Sequence, residues 1–135
     1  MSAYTRNKAI MYPLDKDTLN KLGVKDAWEL GDKFPEVNNF GDEIPRFEIE
    51  AMVDDNWECT YYLSYVLYHT YGKESGEFGR NRLLTPTEQE KYKTIFEKII
   101  SDIDVNKLKY VDYCYYNATE SPDFYNQVDD FNSEI

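Results

Sequence analysis

The chain carries one histidine, His69, and two cysteines, Cys59 and Cys114. A histidine serves nucleophilic catalysis when a cysteine or serine and a third, orienting group accompany it in a recognisable spacing. No such spacing is present, so His69 is expected to be a partly buried structural residue. Both cysteines fall in apolar segments, where a thiol behaves as a small hydrophobe; two reduced, partly buried thiols are expected rather than a disulfide. There is no Cys-x-x-Cys pair, no His-Glu-x-x-His and no calcium-binding loop with its glycine and closing glutamate. The acids Asp54, Asp55 and Glu58, and the pair Asp129 and Asp130, come nearest to a hard-cation site. In a chain with 26 Asp and Glu such groupings arise from composition alone, and neither a metal nor another cofactor is expected. Gly72, Gly76 and Gly79 lack the lysine spacing of a phosphate-binding loop. Arg80 and Arg82 flank Asn81 just before a capped helix, where two guanidinium groups can dock an anion; the simpler reading is that they pair with the chain's own acids.

The acids themselves are the more informative chemistry. Against 26 Asp and Glu stand 15 Lys and Arg, a net charge of -11 over 135 residues. Binding to nucleic acid draws on basic side chains that neutralise phosphates, so this balance argues against direct contact with DNA, RNA or an anionic membrane. It favours a basic protein partner, whose approach the field accelerates. The acids are also segregated. From Asp26 to Glu58 eleven of them (Asp26, Glu29, Asp32, Glu36, Asp42, Glu43, Glu48, Glu50, Asp54, Asp55 and Glu58) face only Lys33 and Arg46. Between Arg46 and Lys73 no Lys or Arg occurs, and from Tyr110 to Ile135 the acids Asp112, Glu120, Asp123, Asp129, Asp130 and Glu134 are again without one. Aromatic residues interleave with them, as in Asp54-Asp55-Asn56-Trp57-Glu58 and from Asp123 to Phe131. Tyr and Trp bury large area at small entropic cost, which makes aromatic anchors within charge the composition of an interface centre. The residues expected to bind a partner are Asp42, Glu43, Glu48, Glu50, Asp54, Asp55, Trp57, Glu58, Asp123, Asp129 and Asp130, with Trp57 as anchor.

These residues must be held by a fold. The length suits one domain, and an aromatic share of 16%, with 13 Tyr, is that of a packed chain rather than a disordered acidic one. Ala3 to Leu14 reads as an extended arm or short strand. Asp15 is a good N-cap before Thr18, Leu19 and Leu22, with Gly23 as the stop, and Val24 to Leu30 makes a second short helix ending at Gly31. Residues 36–45 hold turn formers and read as a loop. Phe47, Ile49, Ala51 and Val53 alternate as in a half-buried strand. Trp57 to Tyr71 is apolar on nearly every side; its length, an aspartate cap and Gly72 as a stop predict a helix, while its aromatic and β-branched content favours a strand. Thr85-Pro86-Thr87-Glu88 is a capping box with proline at the first helical position, followed by Tyr92, Ile95, Phe96, Ile99, Ile100 and Ile103 at helical steps. Leu108 to Tyr116 alternates as a strand.

The expectation is a small α+β domain over residues 1–117, a few-stranded antiparallel sheet packed with two or three helices, followed by an acidic aromatic tail, 118–135, that orders on a partner or packs back along the sheet. The start of the chain has neither a signal-peptide core nor a membrane span, so a soluble protein of the cytoplasm is expected. Small size, acidity, abundant tyrosine and the lack of a catalytic motif give the chain a resemblance in style, not in any motif, to phage-type inhibitors: anti-CRISPR proteins, other DNA mimics and the immunity proteins that cover toxin nucleases. That resemblance implies a non-enzymatic inhibitor seated on the basic nucleic-acid channel of a nuclease such as a CRISPR effector, active in the bacterial host cell. An immunity protein and a structural or assembly protein are the alternatives, with a carboxylate- or metal-dependent enzyme behind them.

Overall fold

A computed structural model describes residues 4–38, 43–53, 58–72 and 81–116. Five strands, β1 (Tyr4–Pro13), β2 (Arg46–Val53), β3 (Cys59–Gly72), β4 (Arg82–Leu83) and β5 (Lys109–Tyr116), form one antiparallel sheet in the order β2-β3-β1-β5-β4. Three α-helices accompany it, α1 (Lys16–Leu22), α2 (Ala27–Lys33) and α3 (Pro86–Phe96), with single 3-10 turns at Pro35–Asn38 and Val105–Lys107. The chain is therefore a small α+β domain, as its segment pattern predicts. The expected boundary at residue 117 and the tail beyond it lie outside the described residues.

The helices begin and end where local chemistry places them. Asp15 caps α1, its Oδ1 accepting from the Thr18 N–H at 2.8 Å, and Gly23 closes it at φ 72°, a left-handed conformation that costs glycine nothing. Asp26 caps α2 by accepting from the Glu29 N–H at 2.9 Å. The helix then runs through Gly31, the expected stop, to Lys33. Gly31 is buried on the inward side of the helix. Thr85 and Glu88 cap each other's backbone N–H at the start of α3. This helix is shorter than the spacing predicts: it ends at Phe96, and Ile99, Ile100 and Ile103 are buried from the turns that follow it. Apolar residues at steps of three and four continue past the last helical turn because compact turns also return them to the same core.

The largest correction concerns residues 57–71, for which length and capping predict a helix. From Cys59 to Gly72 the chain forms instead the longest strand of the sheet, β3. Its apolar residues lie on both sides because both faces of the sheet are buried where β3 crosses it. One face, with Ile10, Tyr12, Phe47, Ile49 and Leu63, joins Leu22, Leu30, Tyr92, Phe96, Ile100 and other helix and loop residues in the main core. Ala9, Met11, Tyr62, Val66 and Val111 form a second cluster on the opposite face, to which none of the three helices contributes a residue. A strand buried twice loses its polar alternation and reads like a buried helix.

Phe96 is the keystone of the main core. Fully buried, it meets Phe47 edge-on at 5.2 Å, Tyr65 at 6.3 Å and Tyr12 at 6.5 Å between ring centroids. These separations lie in the range of favourable tilted aromatic pairs. The Tyr12 hydroxyl accepts from the Asp104 N–H at 3.0 Å, tying the central strand to the turn before β5.

β1 and β3 pair with a register shift: Ala9 opposes Val66 and Lys8 opposes Tyr68, leaving Leu67 without a β1 partner. Such a bulge reverses which side chains face which way beyond it. Past the bulge His69 opposes Asn7, and its Nδ1–H donates to Oδ1 of the buried Asn7 at 2.6 Å.

Candidate interaction surface

His69 is exposed, not partly buried as expected, because it sits near the end of β3 beyond the bulge. Its hydrogen bond to Asn7 gives it a structural role. Cys59 is a free thiol and is also exposed, at the first residue of β3 opposite Val53, where the sheet's apolar cover has ended. Among the described residues no three His, Cys, Asp or Glu side chains converge to hold a metal ion. Arg82 makes a two-pronged contact with Glu88, Nη1 to Oε1 at 2.7 Å and Nη2 to Oε2 at 2.8 Å, and lies 4.6 Å from the Tyr110 ring centroid. It thus pairs with the chain's own acid. That pairing, with the Thr85 N–H, holds Glu88 down at about 2. Arg80 lies outside the described residues.

Of the residues expected to meet a partner, Asp42, Asp54, Asp55, Trp57, Asp123, Asp129 and Asp130 lie outside the described residues. Glu43 precedes β2 and is exposed, and Glu58 precedes β3 and is exposed. Glu48 and Glu50 are two apart on β2 and therefore on one face of it, the face opposite Phe47 and Ile49. Both are half-buried, and Glu48 Oε1 accepts from Arg46 Nε at 2.6 Å. The structure thus places Glu43 and Glu58 as exposed charges, and it gives Glu48 an internal partner that offsets its charge.

Helix α2 is legible in the sequence, but none of its residues is among those expected to bind a partner. Within it Ala27, Leu30 and Gly31 are buried, at the i, i+3, i+4 steps of an inward face. Trp28 and Asp32, four apart, take the outward side, and both are exposed. Trp28 is 54% exposed, more than Leu83, Ile44 or Tyr68. Its indole packs with the Tyr61 ring in a T-shaped pair, 5.6 Å between centroids and 77° between planes. An open cleft of about 780 Å³ beside it is lined by Lys25, Asp26, Trp28, Glu29 and Asp32. Two of these carboxylates are held in place by backbone: Asp26 Oδ1 by the Glu29 N–H, and Glu29 Oε2 by the Lys25 N–H at 3.2 Å. The signal was available in the sequence, since a tryptophan on the outward face of a capped helix has nowhere to bury itself. Treating the acidic run as one string and α2 as packing alone obscured it.

The contact between Trp28 and Tyr61 ties α2 to the first part of β3. Tyr61 pairs with Ala51 of β2, two residues from the Val53–Cys59 pair and three from Glu58. Acids distant in sequence, from Asp26 to Asp32 and at Glu58, thus approach the same end of the β2–β3 hairpin. The exposed basic side chains on α2 and the residue before its cap are Lys25 and Lys33, and Lys33 Nζ donates to the Leu22 carbonyl.

No helix among the described residues is long and apolar enough to cross a membrane. In comparisons with protein-family models, curated proteins and solved structures, nothing matched the chain.

Proposed function

We propose that this chain is a non-enzymatic acidic inhibitor that occupies the basic nucleic-acid-binding surface of a nuclease and so blocks its substrate, in the manner of anti-CRISPR or DNA-mimic proteins. The observation that carries the reading is the charge and its setting: a net -11, with Asp26, Asp32, Glu43 and Glu58 exposed on or beside ordered elements. Carboxylates fixed by caps and strands lose little freedom on docking, and preorganised charge contributes more to binding than mobile charge. A positive channel built for phosphates is the complementary surface, and attraction over that range raises the rate of encounter. The proposed site of action is the cytoplasm of a bacterial host.

Charge-driven docking makes a demand that can be measured. Surface charges are screened beyond a Debye length of about 8 Å at physiological ionic strength, so association must slow as salt rises. The test is capture of bacterial lysate proteins on the full chain, washed at two salt concentrations and identified by mass spectrometry, followed by cleavage assays with the recovered nuclease. The expected result is a nucleic-acid-binding enzyme, released by salt or by competing nucleic acid and inhibited in proportion to its capture. A partner whose association is indifferent to salt, or cleavage that continues at saturating protein, overturns the proposal.

A further inference from the structure

Resting on that reading, we propose that the cleft beside α2 is the docking point, and that its occupant is an arginine-bearing segment of the basic partner, with a guanidinium seated on the indole of Trp28 between the carboxylates of Asp26, Glu29 and Asp32. Three observations meet here. The indole is more than half exposed although the Tyr61 ring packs against it in a T-shaped pair, so a ring is presented and not merely uncovered. The cleft lining sets three carboxylates against one ammonium, Lys25. Asp26 and Glu29 are each anchored by one oxygen to a backbone N–H, which fixes the direction of the other oxygen.

The chemistry selects the occupant. A planar, delocalised cation is attracted to the face of an indole and donates paired hydrogen bonds to carboxylates, whereas an ammonium offers a point charge with stronger hydration. Phosphate, nucleic acid and anionic lipid are repelled by the same three carboxylates. A neutral apolar segment gains the tryptophan but leaves the carboxylates without partners. Interface energy concentrates in such aromatic centres, so loss of the ring is expected to weaken docking about tenfold, more than loss of one rim charge.

The test uses the full chain with Trp57→Phe, which leaves Trp28 as the one tryptophan. An octa-arginine peptide is the probe, titrated at low and at physiological salt with tryptophan emission and calorimetry read together. The expected result is a saturable change in Trp28 emission, binding weakened about tenfold by Trp28→Ala and several-fold by Asp32→Asn, and no change with Glu90→Gln, an exposed acid on α3 outside the cleft. Calorimetric binding that leaves Trp28 emission unmoved overturns the proposal, as does equal weakening by Asp32→Asn and Glu90→Gln, the mark of diffuse attraction. Absence of binding at low salt overturns it as well. The two readings fail separately. A nuclease inhibited equally by the natural chain and by Trp28→Ala removes the docking point and leaves the inhibitor. A chain that inhibits no nuclease but titrates as described removes the inhibitor and leaves the docking point.

Discussion

Neutralising Glu88 by Glu88→Gln isolates one ion pair and ties it to pH. Glutamine at this helix position keeps the reach back to the Thr85 N–H that the capping box needs, so the variant removes the charge and one of the two acceptors of the Arg82 contact while leaving the cap in place. Arg82, donating from both Nη atoms, and then the Thr85 N–H pull the Glu88 carboxyl from its ordinary range to about 2. Taken whole, a depression from about 4.3 corresponds to about 3 kcal/mol. Water reaches both partners, since their side chains are 38% and 27% exposed, and exposed pairs measured by mutation contribute about 1 kcal/mol or less. The two-pronged geometry and the shared cap place this pair above that median, so the expected loss is about 1–2 kcal/mol at neutral pH. The sign follows from the direction of the shift. A carboxylate whose folded value is depressed contributes its stability above its unfolded value, and loses it as pH falls through about 4 toward the folded value. The natural chain and Glu88→Gln should therefore differ in urea midpoint at neutral pH and converge near pH 2. A cycle with Arg82→Gln should return a coupling of about 1 kcal/mol. A coupling near zero at neutral pH, or a difference between the two chains that persists unchanged in acid, refutes the reasoning.

Phe96→Ala should cost about 3–5 kcal/mol, because it empties a buried site framed by Phe47, Tyr65 and Tyr12; thermal unfolding at a fixed pH is the check, and a loss below about 1 kcal/mol contradicts the packing. Tyr12→Phe keeps the ring and removes the acceptor of the Asp104 N–H, so a loss of about 0.5–1.5 kcal/mol is expected by denaturant titration. Gly23→Ala meets no backbone but must hold φ 72°, and should cost about 1 kcal/mol by the same assay. Burial pushes the Tyr62 hydroxyl up to about 12. Its stabilising preference for the proton is full below about 10 and is lost as pH rises toward 12; in an ultraviolet titration Tyr62→Phe should delete a tyrosinate that forms above the ordinary tyrosine range.

Much of the fold is legible in the sequence where one local signal acts alone. The Asp15 cap with Gly23, the Thr85-Pro86-Thr87-Glu88 start, and the alternation of Phe47, Ile49, Ala51 and Val53 each specify an element without reference to the rest of the chain. The sequence misleads where tertiary burial overrides the local pattern. β3 reads as a helix because it is covered on both faces, and α3 reads as extending to Ile103 because turns can bury residues at helical steps. The Leu67 bulge is a property of pairing between two strands, so no reading of β3 alone places His69 beside Asn7. The candidate site divides in the same way. Acidity of the Asp26 to Glu58 run is plain from composition, but the pairing of Glu48 with Arg46 and the outward turn of Trp28 follow from strand faces and helix faces. Trp57, the anchor expected from its acidic neighbours, lies outside the described residues, while Trp28 is the tryptophan the structure shows presented to solvent.

The position of β1 in the sheet governs how the molecule comes to be folded. The first strand of the chain is also the middle one: Tyr4 pairs with Gly72 on one side and with Tyr116 on the other. As the chain leaves the ribosome, β1 has no neighbour to pair with until β3 has emerged, and its second neighbour is later still. Only the β2–β3 hairpin and the capped helices are local enough to organise early; the sheet's centre must wait for two long loops to close. Distant pairings of this kind slow folding and lengthen the time for which apolar strands are open to association. A net charge of -11 acts during that interval, since like-charged unfinished chains repel one another while their first strand waits for its second neighbour.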